Sequence, residues 1–174
     1  MDAALDRARA VQLMVFDVDG VLTDGRLYYN DAGEELKAFC TLDGHGIKML
    51  MGSGVRTAIL TGRSSGVVAH RARNLGIAHV LQGVQDKGTA LIELARALGV
   101  EPAQCGYMGD DVIDLPAMRR SGFAAAPHEA ADIVRSHAHY VATRPAGAGA
   151  AREVCELVLR AQGKLDAALA PYLA

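Results

Sequence analysis

The sequence predicts an α/β fold in which a doubly wound parallel sheet carries helices on both faces. Short, nearly continuous apolar runs recur along the chain, as is typical of strands that are buried on both faces. A helical pattern follows most of these runs, and such strand–helix alternation builds a parallel sheet. The chain has 174 residues, of which 51% are hydrophobic, so we expect a single domain over residues 1–174 with a sizeable core.

Five apolar runs are predicted to be strands, and they cover residues 11–16, 55–60, 78–81, 104–108 and 122–125. Helices are predicted over residues 64–74, 86–98, 111–118, 129–135 and 151–162. Gly76 and Gly99 come just after two of these helices, where a left-handed backbone conformation at the helix end favours glycine.

Residues 25–39 interrupt the alternation. Two short segments, 25–29 and 35–39, flank the turn sequence Asn-Asp-Ala-Gly, and this arrangement predicts a β-hairpin insertion. The hairpin is too small to be a second domain, and no other interval is long enough to contain a cap domain. Residues 164–174 form a mostly apolar tail that has no obvious core partner in its own subunit.

Composition and charge exclude several classes of function. The net charge is −2, so no general basic field would attract nucleic acid or an anionic membrane. No apolar run is long enough for a membrane-spanning helix, and the charged residues near the N-terminus do not fit a signal peptide. Three separate cysteines without a CxxC spacing favour a reducing compartment, and we predict a cytoplasmic protein.

Polar side chains follow three of the apolar runs at the point where each predicted strand ends. Asp17 and Asp19 follow the first run, Thr61 follows the second, and Asp110 follows the fourth. In a doubly wound sheet, ligands bind at the carboxyl ends of the strands, so these groups should meet at one edge. Lys87 begins a predicted helix and is close enough to join them.

The carboxylates of this group predict a magnesium site. Asp17 and Asp19 are two residues apart and would repel each other unless a cation or a shared proton lies between them. Asp110 adds a third negative group, and oxygen ligands without histidine or cysteine suit Mg²⁺. The alternative interpretation is a set of solvated loop aspartates that cap helices. That alternative explains a helix-capping role for Asp111, but it does not explain Thr61 and Lys87 at the same edge.

Four short motifs resemble those of the haloacid dehalogenase (HAD) superfamily. Residues 17–24, Asp-Val-Asp-Gly-Val-Leu-Thr-Asp, are similar to the first HAD signature, DxDGxxTD. Residues 60–63, Leu-Thr-Gly-Arg, resemble the second, and Lys87 fits the third. Residues 109–114, Gly-Asp-Asp-Val-Ile-Asp, resemble the fourth, GDDxxD. All four occur in the family order, and the resemblance implies a Rossmann-like HAD sheet.

The resemblance also implies a role for each motif residue. Asp17 would attack phosphorus and form an aspartyl-phosphate, and Asp19 would act as general acid and then as general base. Mg²⁺ would be bound by Asp17, Asp110 and the backbone carbonyl of Asp19. Thr61 and Lys87 would hold the phosphoryl oxygens. Two further aspartates that would orient these groups are Asp111 and Asp114.

Within this superfamily the chain resembles the 3-deoxy-D-manno-octulosonate 8-phosphate (KDO 8-phosphate) phosphatase family. The similarity includes the hairpin and extends almost to the C-terminus. It implies a magnesium-dependent phosphatase of lipopolysaccharide precursor synthesis. Four hairpins would join in a homotetramer, and the tail of one subunit would close over a neighbouring site. The implied substrate contacts are Asp19, Cys40, Thr41, Leu42, Asp43, Gly44, Lys48, Arg63, Arg71 and Lys87.

Three alternatives remain at this stage. A phosphatase for a nine-carbon, sialic-acid-type sugar 9-phosphate would carry Glu in place of Arg63 and Lys near Asn74. A phosphoacceptor receiver domain would also place Asp, Thr and Lys at strand ends, but its phosphoacceptor follows the third strand. A non-catalytic partner domain would not need intact Asp17, Asp19 and Lys87.

Overall fold

The computed structural model describes residues 2–173, which form a six-stranded parallel sheet, flanking helices and a separate two-stranded sheet. The main sheet has the order β5-β4-β1-β6-β7-β8, which confirms the predicted fold class. The strands are β1 (Leu13–Phe16), β2 (Tyr28–Tyr29), β3 (Glu35–Leu36), β4 (Arg56–Leu60), β5 (His79–Leu81), β6 (Cys105–Met108), β7 (Phe123–Ala126) and β8 (Tyr140–Val141).

Helices cover both faces of the main sheet. They are α1 (Asp2–Arg9), α2 (Thr41–Gly52), α3 (Gly66–Leu75), α4 (Lys87–Ala97), α5 (Leu115–Met118), α6 (Asp132–His137), α7 (Ala150–Ala161) and α8 (Leu165–Leu169). Short 3₁₀ turns cover Pro102–Gln104, Val112–Asp114 and Ala170–Tyr172. Within residues 2–173, no helix combines the length and the apolar character that a membrane crossing requires.

Alternating side chains of the central strand supply two separate cores. Met14 and Phe16 of β1 pack on the face covered by α1, α2, α3 and α7. Leu13 and Val15 pack on the opposite face, under α4, α5 and α6. Successive side chains of a strand point to opposite faces, so both faces of β1 are apolar because both are covered.

The order of the strands places the carboxyl end of β1 at the centre of the molecule. The chain runs from β1 to β4 on one side, and later returns to β6 on the other side. The backbone N–H of Asp17 donates to the carbonyl of Met108, 3.0 Å away, so the β1–β6 pairing continues to the first residue beyond the strand. Such a reversal of strand order opens a crevice where ligands bind.

All five predicted strands of the main sheet are present, but β8 and the helices α1, α2 and α8 were not predicted. Helix α2 was missed because glycine is a poor helix former and Gly44, Gly46 and Gly52 lie within it. Tertiary packing explains two of these glycines. A Cβ on Gly46 would lie 2.9 Å from Cα of Arg152 in α7, and a Cβ on Gly44 would collide with the guanidinium of Arg71 in α3.

The hairpin is present, with shorter strands than expected. Strands β2 and β3 pair antiparallel over two residues each. Asn30 organises the turn because its side-chain oxygen accepts hydrogen bonds from the backbone N–H groups of Ala32 and Glu34, at 3.0 and 2.9 Å. Gly33 has a φ of 78°, a left-handed conformation that favours glycine.

The C-terminal tail packs on its own subunit, which corrects the expectation that it lacks a core partner. Leu165 and Leu169 of α8 pack against the core under α1, α2 and α7. The ring of Tyr172 lies edge-on to the ring of His45 in α2, with 5.2 Å between ring centres.

Asp43 ties two helices together, although it was expected to contact substrate. Its side chain is buried in the first turn of α2. One carboxylate oxygen accepts from the backbone N–H of Arg152 at 2.8 Å, and the other accepts from that of Gly149 at 3.3 Å. Both oxygens therefore bind backbone groups at the start of α7, and a direct substrate contact by Asp43 stays a prediction.

Replacing Asp43 by alanine should destabilise the protein more than it changes catalysis. The change would leave two backbone N–H groups at the start of α7 without their acceptors, and each such loss costs about 1–3 kcal/mol of unfolding free energy. Urea unfolding would measure the loss, with Asp31→Ala in the exposed hairpin turn as the control. An unchanged unfolding free energy together with a selectively raised KM for a sugar phosphate would instead restore the substrate-contact role.

Candidate active site

Side chains from three neighbouring strands meet at the carboxyl edge of the sheet. Asp17 directly follows β1, Thr61 directly follows β4, and Asp110 comes two residues after β6. Lys87 is the first residue of α4. Together with Asp19, these residues line one cavity of about 220 Å³. The structure therefore brings together the five residues that the sequence predicts for the chemistry.

Lys87 is the cation at the centre of this cavity. Its side chain is only 1% exposed, and its Nζ lies 3.0 Å from Asp17 Oδ2 and 2.6 Å from Asp114 Oδ1. Burial alone would lower the pKa of Lys87, but the carboxylates of Asp17 and Asp114 outweigh burial and raise it. Lys87 is therefore an ammonium group that donates hydrogen bonds to the acidic cluster.

Asp114 positions its neighbours and has no free oxygen for a ligand. Its Oδ1 accepts from Lys87 Nζ and from the hydroxyl of Tyr107, the latter at 2.8 Å. Its Oδ2 accepts from the backbone N–H groups of Asp110 and Asp111, at 3.0 and 3.2 Å. These bonds fix the loop after β6 and the direction of the Lys87 side chain. Asp111 lies at the rim of the cavity, where its Oδ1 accepts from the backbone N–H of Val112.

Close approach of the carboxylates explains two glycines of the motifs. Gly20 has a φ of 82°, and a Cβ there would collide with the carboxylate of Asp110. A Cβ on Gly109 would overlap the side chain of Asp114. A larger residue at either position would displace a carboxylate of the site.

Two carboxylate oxygens of the cavity are buried without a hydrogen-bond partner within residues 2–173. They are Asp17 Oδ1 and Asp110 Oδ1. Burial, followed by repulsion from Asp114, raises the pKa of Asp17 to about 6 although Lys87 opposes the rise. Burial and the negative charges of Asp114 and Asp17 raise the pKa of Asp110 to about 7. The ionised form of both groups is therefore less favourable than that of an ordinary aspartate.

The donor set of the cavity fits a divalent cation that prefers oxygen. Carboxylate oxygens of Asp17, Asp110 and Asp114 lie within 4.8 Å of one another. Distance alone would make Asp114 a third metal ligand, but both of its oxygens already accept hydrogen bonds. The free ligand atoms are therefore those of Asp17 and Asp110. Oxygen donors without imidazole or thiolate suit Mg²⁺. A cation there would satisfy the two unpartnered oxygens and relieve their repulsion.

Asp19 has a different environment, made by basic side chains. The ammonium of Lys37, from the hairpin, forms an ion pair with Asp19 Oδ1. Arg63 Nε lies 3.6 Å from Asp19 Oδ2. Glu35 joins the two cations, at 3.2 Å from Lys37 Nζ and 2.7 Å from Arg63 Nη2. Sequence analysis missed Lys37 and Glu35, although their two-residue spacing in a predicted strand indicated a shared face.

Besides Asp19 and Lys87, Arg63 is the only predicted substrate contact that lines this cavity in the described part of the chain. Arg71 packs elsewhere, where it donates to the carbonyl of Cys40 at 3.3 Å and lies over the ring of Phe39. The crevice between Arg71, Cys40 and Gly44 has a volume of about 10 Å³, barely enough for one water molecule. In this conformation the crevice has no room for a sugar.

The remaining predicted contacts also lie away from the carboxylates. Thr41 and Leu42 are exposed in the first turn of α2. Lys48 lines a cavity of about 500 Å³ between α2 and the C-terminal tail, together with His45 and Tyr172. This cavity is larger than the one at the sheet edge, but it contains none of the strand-end carboxylates.

The fold and the acidic edge define a hydrolase of the haloacid dehalogenase type, and a family model described as haloacid dehalogenase-like hydrolase matches residues 45–122. The chain is 45% identical over 167 residues to the 3-deoxy-D-manno-octulosonate 8-phosphate phosphatase KdsC of Yersinia pestis, covering 96% of this chain and 89% of the relative. The chain therefore belongs to the KDO 8-phosphate phosphatase family of these hydrolases.

Solved structures of relatives agree closely with this fold. A KDO 8-phosphate phosphatase from Moraxella catarrhalis, solved with a magnesium ion, a phosphate ion and KDO, is 45% identical with a TM-score of 0.97 and covers 99% of both chains. A probable YrbI family phosphatase from Pseudomonas syringae pv. phaseolica 1448a is 51% identical with a TM-score of 0.98, covering 100% of this chain and 99% of that one.

The metal-free protein should lose stability as the pH rises through the raised pKa values of about 6 for Asp17 and about 7 for Asp110. Between the ordinary aspartate pKa of 3.8 and these values, the folded protein binds more protons than the unfolded chain. The unfolding free energy therefore falls as the pH rises in that window. Thermal unfolding in EDTA would measure the slope, and added Mg²⁺ should raise Tm more above the window than below it.

Asp110→Asn is the matched variant for this measurement. It removes one crowded carboxylate and weakens the repulsion on Asp17, so its stability in EDTA should depend less on pH. Identical slopes for the variant and the unchanged protein would contradict the assignment of the pH dependence to this cluster.

Proposed function

We propose that this protein is a Mg²⁺-dependent phosphomonoesterase that hydrolyses KDO 8-phosphate to KDO and inorganic phosphate. The observation that carries the proposal is the cavity in which Asp17 and Asp110 hold unpartnered oxygens beside Lys87. A relative that covers nearly the whole chain and was solved with magnesium, phosphate and KDO supports the choice of substrate and metal.

The metal would be held by Asp17, Asp110 and the backbone carbonyl of Asp19. When bound, Mg²⁺ supplies positive charge that offsets the crowded carboxylates and the phosphoryl oxygens of the substrate. Thr61 and Lys87 face the same cavity, and we assign them to the phosphoryl oxygens. Asp111 and Asp114 would orient the loop after β6 and, through Asp114, the ammonium of Lys87.

In the first step an Asp17 carboxylate oxygen attacks phosphorus. A bond forms between that oxygen and phosphorus while the bond from phosphorus to the sugar oxygen breaks. Asp19, which takes up a proton from solvent before this step, gives that proton to the departing sugar oxygen, so this oxygen leaves as a neutral hydroxyl group. Lys87 lies 3.0 Å from the Asp17 carboxylate and would hold it in position for attack.

In the second step water regenerates the enzyme. The Asp19 carboxylate takes a proton from water, and the water oxygen attacks phosphorus. The bond between Asp17 and phosphorus breaks, which releases inorganic phosphate and restores the Asp17 carboxylate. Over both steps one water molecule is consumed and Asp19 returns to its protonated form.

Arg63 favours a sugar acid as the substrate. It lies at the cavity, is 45% exposed, and has a planar guanidinium group that can grip a carboxylate with two hydrogen bonds. The nine-carbon alternative, which would carry Glu at this position, is not favoured. The receiver-domain alternative is not favoured either, because the relatives are hydrolases and Asp19 lies beside Asp17 in the cavity.

Two substitutions and metal removal test this function. EDTA should abolish phosphate release from KDO 8-phosphate, and Asp17→Asn should leave no turnover because the nucleophile is gone. Asp19→Asn should slow turnover by roughly 10²-fold or more, the scale of general acid–base catalysis. Phosphate-release assays would measure these rates. Full activity in EDTA, or a trapped aspartyl-phosphate at a residue other than Asp17, would contradict the mechanism.

We also propose that the protein is a cytoplasmic homotetramer assembled through its hairpin. The hairpin exposes four large apolar side chains, which are Leu27, Tyr28, Tyr29 and Leu36. Pairing with copies of itself would cover this surface and its strand edges. A tetramer with closed symmetry fits such a contact, and the family that the chain resembles supports this number of subunits. The three cysteines are unpaired, in keeping with a reducing compartment.

Leu27→Asp combined with Leu36→Asp should dissociate the tetramer, because charges would be buried in an apolar contact. These leucines are better targets than Tyr29, whose hydroxyl accepts from Arg63 at the active site. Light scattering would report the mass, and Ile133→Asp, an exposed apolar residue of α6, is the control. A fully active monomer of the unchanged protein at assay concentration would defeat the proposal.

A further inference from the structure

The side chain of Lys37 is buried although the hairpin around it is exposed. Its side chain is only 2% exposed, whereas the neighbouring residues Leu36 and Ala38 face solvent. Burying an ammonium group is unfavourable unless it is paired with negative charge. The ammonium of Lys37 pairs with Asp19 Oδ1 and, at 3.2 Å, with Glu35.

A purely structural role of Lys37 would not require the ion pair with Asp19. Glu35 lies in the same hairpin and already pairs with Lys37, so hairpin stability alone does not need a contact with Asp19. Lys37 instead contacts Asp19, which is the proposed general acid and base of the reaction. Arg63 Nε lies 3.6 Å from the other oxygen of the same carboxylate, so each oxygen of Asp19 has a cation within ion-pair distance.

We propose that Lys37 is a positioning residue that acts through Asp19, an inference that rests on the proposed function. Lys37 holds the Asp19 carboxyl group toward the departing sugar oxygen. When the proton of Asp19 passes to that oxygen as the phosphorus–oxygen bond breaks, the ammonium stabilises the carboxylate that remains. Lys37 keeps its own protons throughout, so the overall proton balance is unchanged.

This role makes Lys37 important for some leaving groups and not for others. A sugar alcohol is a poor leaving group and needs a proton as it departs. The nitrophenolate of p-nitrophenyl phosphate is stable as an anion and leaves without one. A residue that acts through the general acid must therefore affect KDO 8-phosphate much more strongly than p-nitrophenyl phosphate.

The first test compares both substrates in Lys37→Met. The kcat for KDO 8-phosphate should fall about 10-fold or more, within the range of general acid catalysis, and that for p-nitrophenyl phosphate by less than about 3-fold. Lys37→Arg keeps the positive charge and should recover most of the loss. Arg96→Met removes a positive charge from the exposed end of α4, away from the cavity, and should leave both rates unchanged.

The second test is a double-mutant cycle with Asp19→Asn. If Lys37 acts through Asp19, adding Lys37→Met to Asp19→Asn should change kcat for KDO 8-phosphate by less than about 2-fold. Equal losses on both substrates in Lys37→Met, or additive losses in the cycle, would overturn the proposal. Thermal unfolding would verify that each variant is folded, and Lys37→Gln would replace Lys37→Met if that variant unfolds.

Failure of the proposed function can be told apart from failure of this inference. If the unchanged protein does not hydrolyse KDO 8-phosphate, the substrate assignment is wrong. Glycerol phosphate, another alkyl phosphate, then takes its place in both tests. A Lys37→Met variant that loses the same factor on glycerol phosphate and p-nitrophenyl phosphate would overturn the role of Lys37 by itself.

Discussion

Repulsion among buried carboxylates is the constraint on which the site depends. Asp17, Asp110 and Asp114 converge because β1 lies between β4 and β6, so the loops after β1 and β6 meet at one edge. One ammonium, that of Lys87, lies among them. The pKa values of Asp17 and Asp110 are raised because this single charge does not offset burial and crowding. A divalent cation would neutralise the remaining negative charge of these carboxylates. Metal binding is therefore linked to the stability of this edge of the sheet.

Two aspartates of one motif serve different purposes because their surroundings differ. Asp17 is buried among carboxylates and Lys87, where it can bind a metal and attack phosphorus. Asp19, two residues later, points toward the hairpin and meets Lys37 and Arg63. Such separate environments are what the proposed roles of nucleophile and acid require of two chemically identical groups.

The two sides of the hairpin face different surroundings. On its inner side, Lys37 and Glu35 lie at the active site. On its outer side, Leu27 and Leu36 are exposed to solvent. An isolated two-stranded hairpin is marginally stable in water, so contacts on both sides should define its conformation. Assembly that covers the outer side would therefore also hold the ammonium of Lys37 beside Asp19.

Local sequence preferences did not predict helix α2. Its glycines argue against a helix by propensity, but they let α2 approach Arg152 of α7 and Arg71 of α3 closely. The short strand β8 was missed for a related reason, because two residues carry little periodic signal. In both cases the preference of a short segment was overruled by packing against distant parts of the chain.

From the sequence alone, the fold class and the convergence of Asp17, Asp19, Thr61, Lys87 and Asp110 could be predicted. Each of these residues stands at a strand end or a helix start, and the topology of a parallel sheet carries such positions to one edge. The partners of Asp19, the tie between Asp43 and α7, and the position of Arg71 were decided by the tertiary structure. These contacts join residues far apart in the chain, and their geometry depends on how helices and the hairpin pack, which local patterns do not encode.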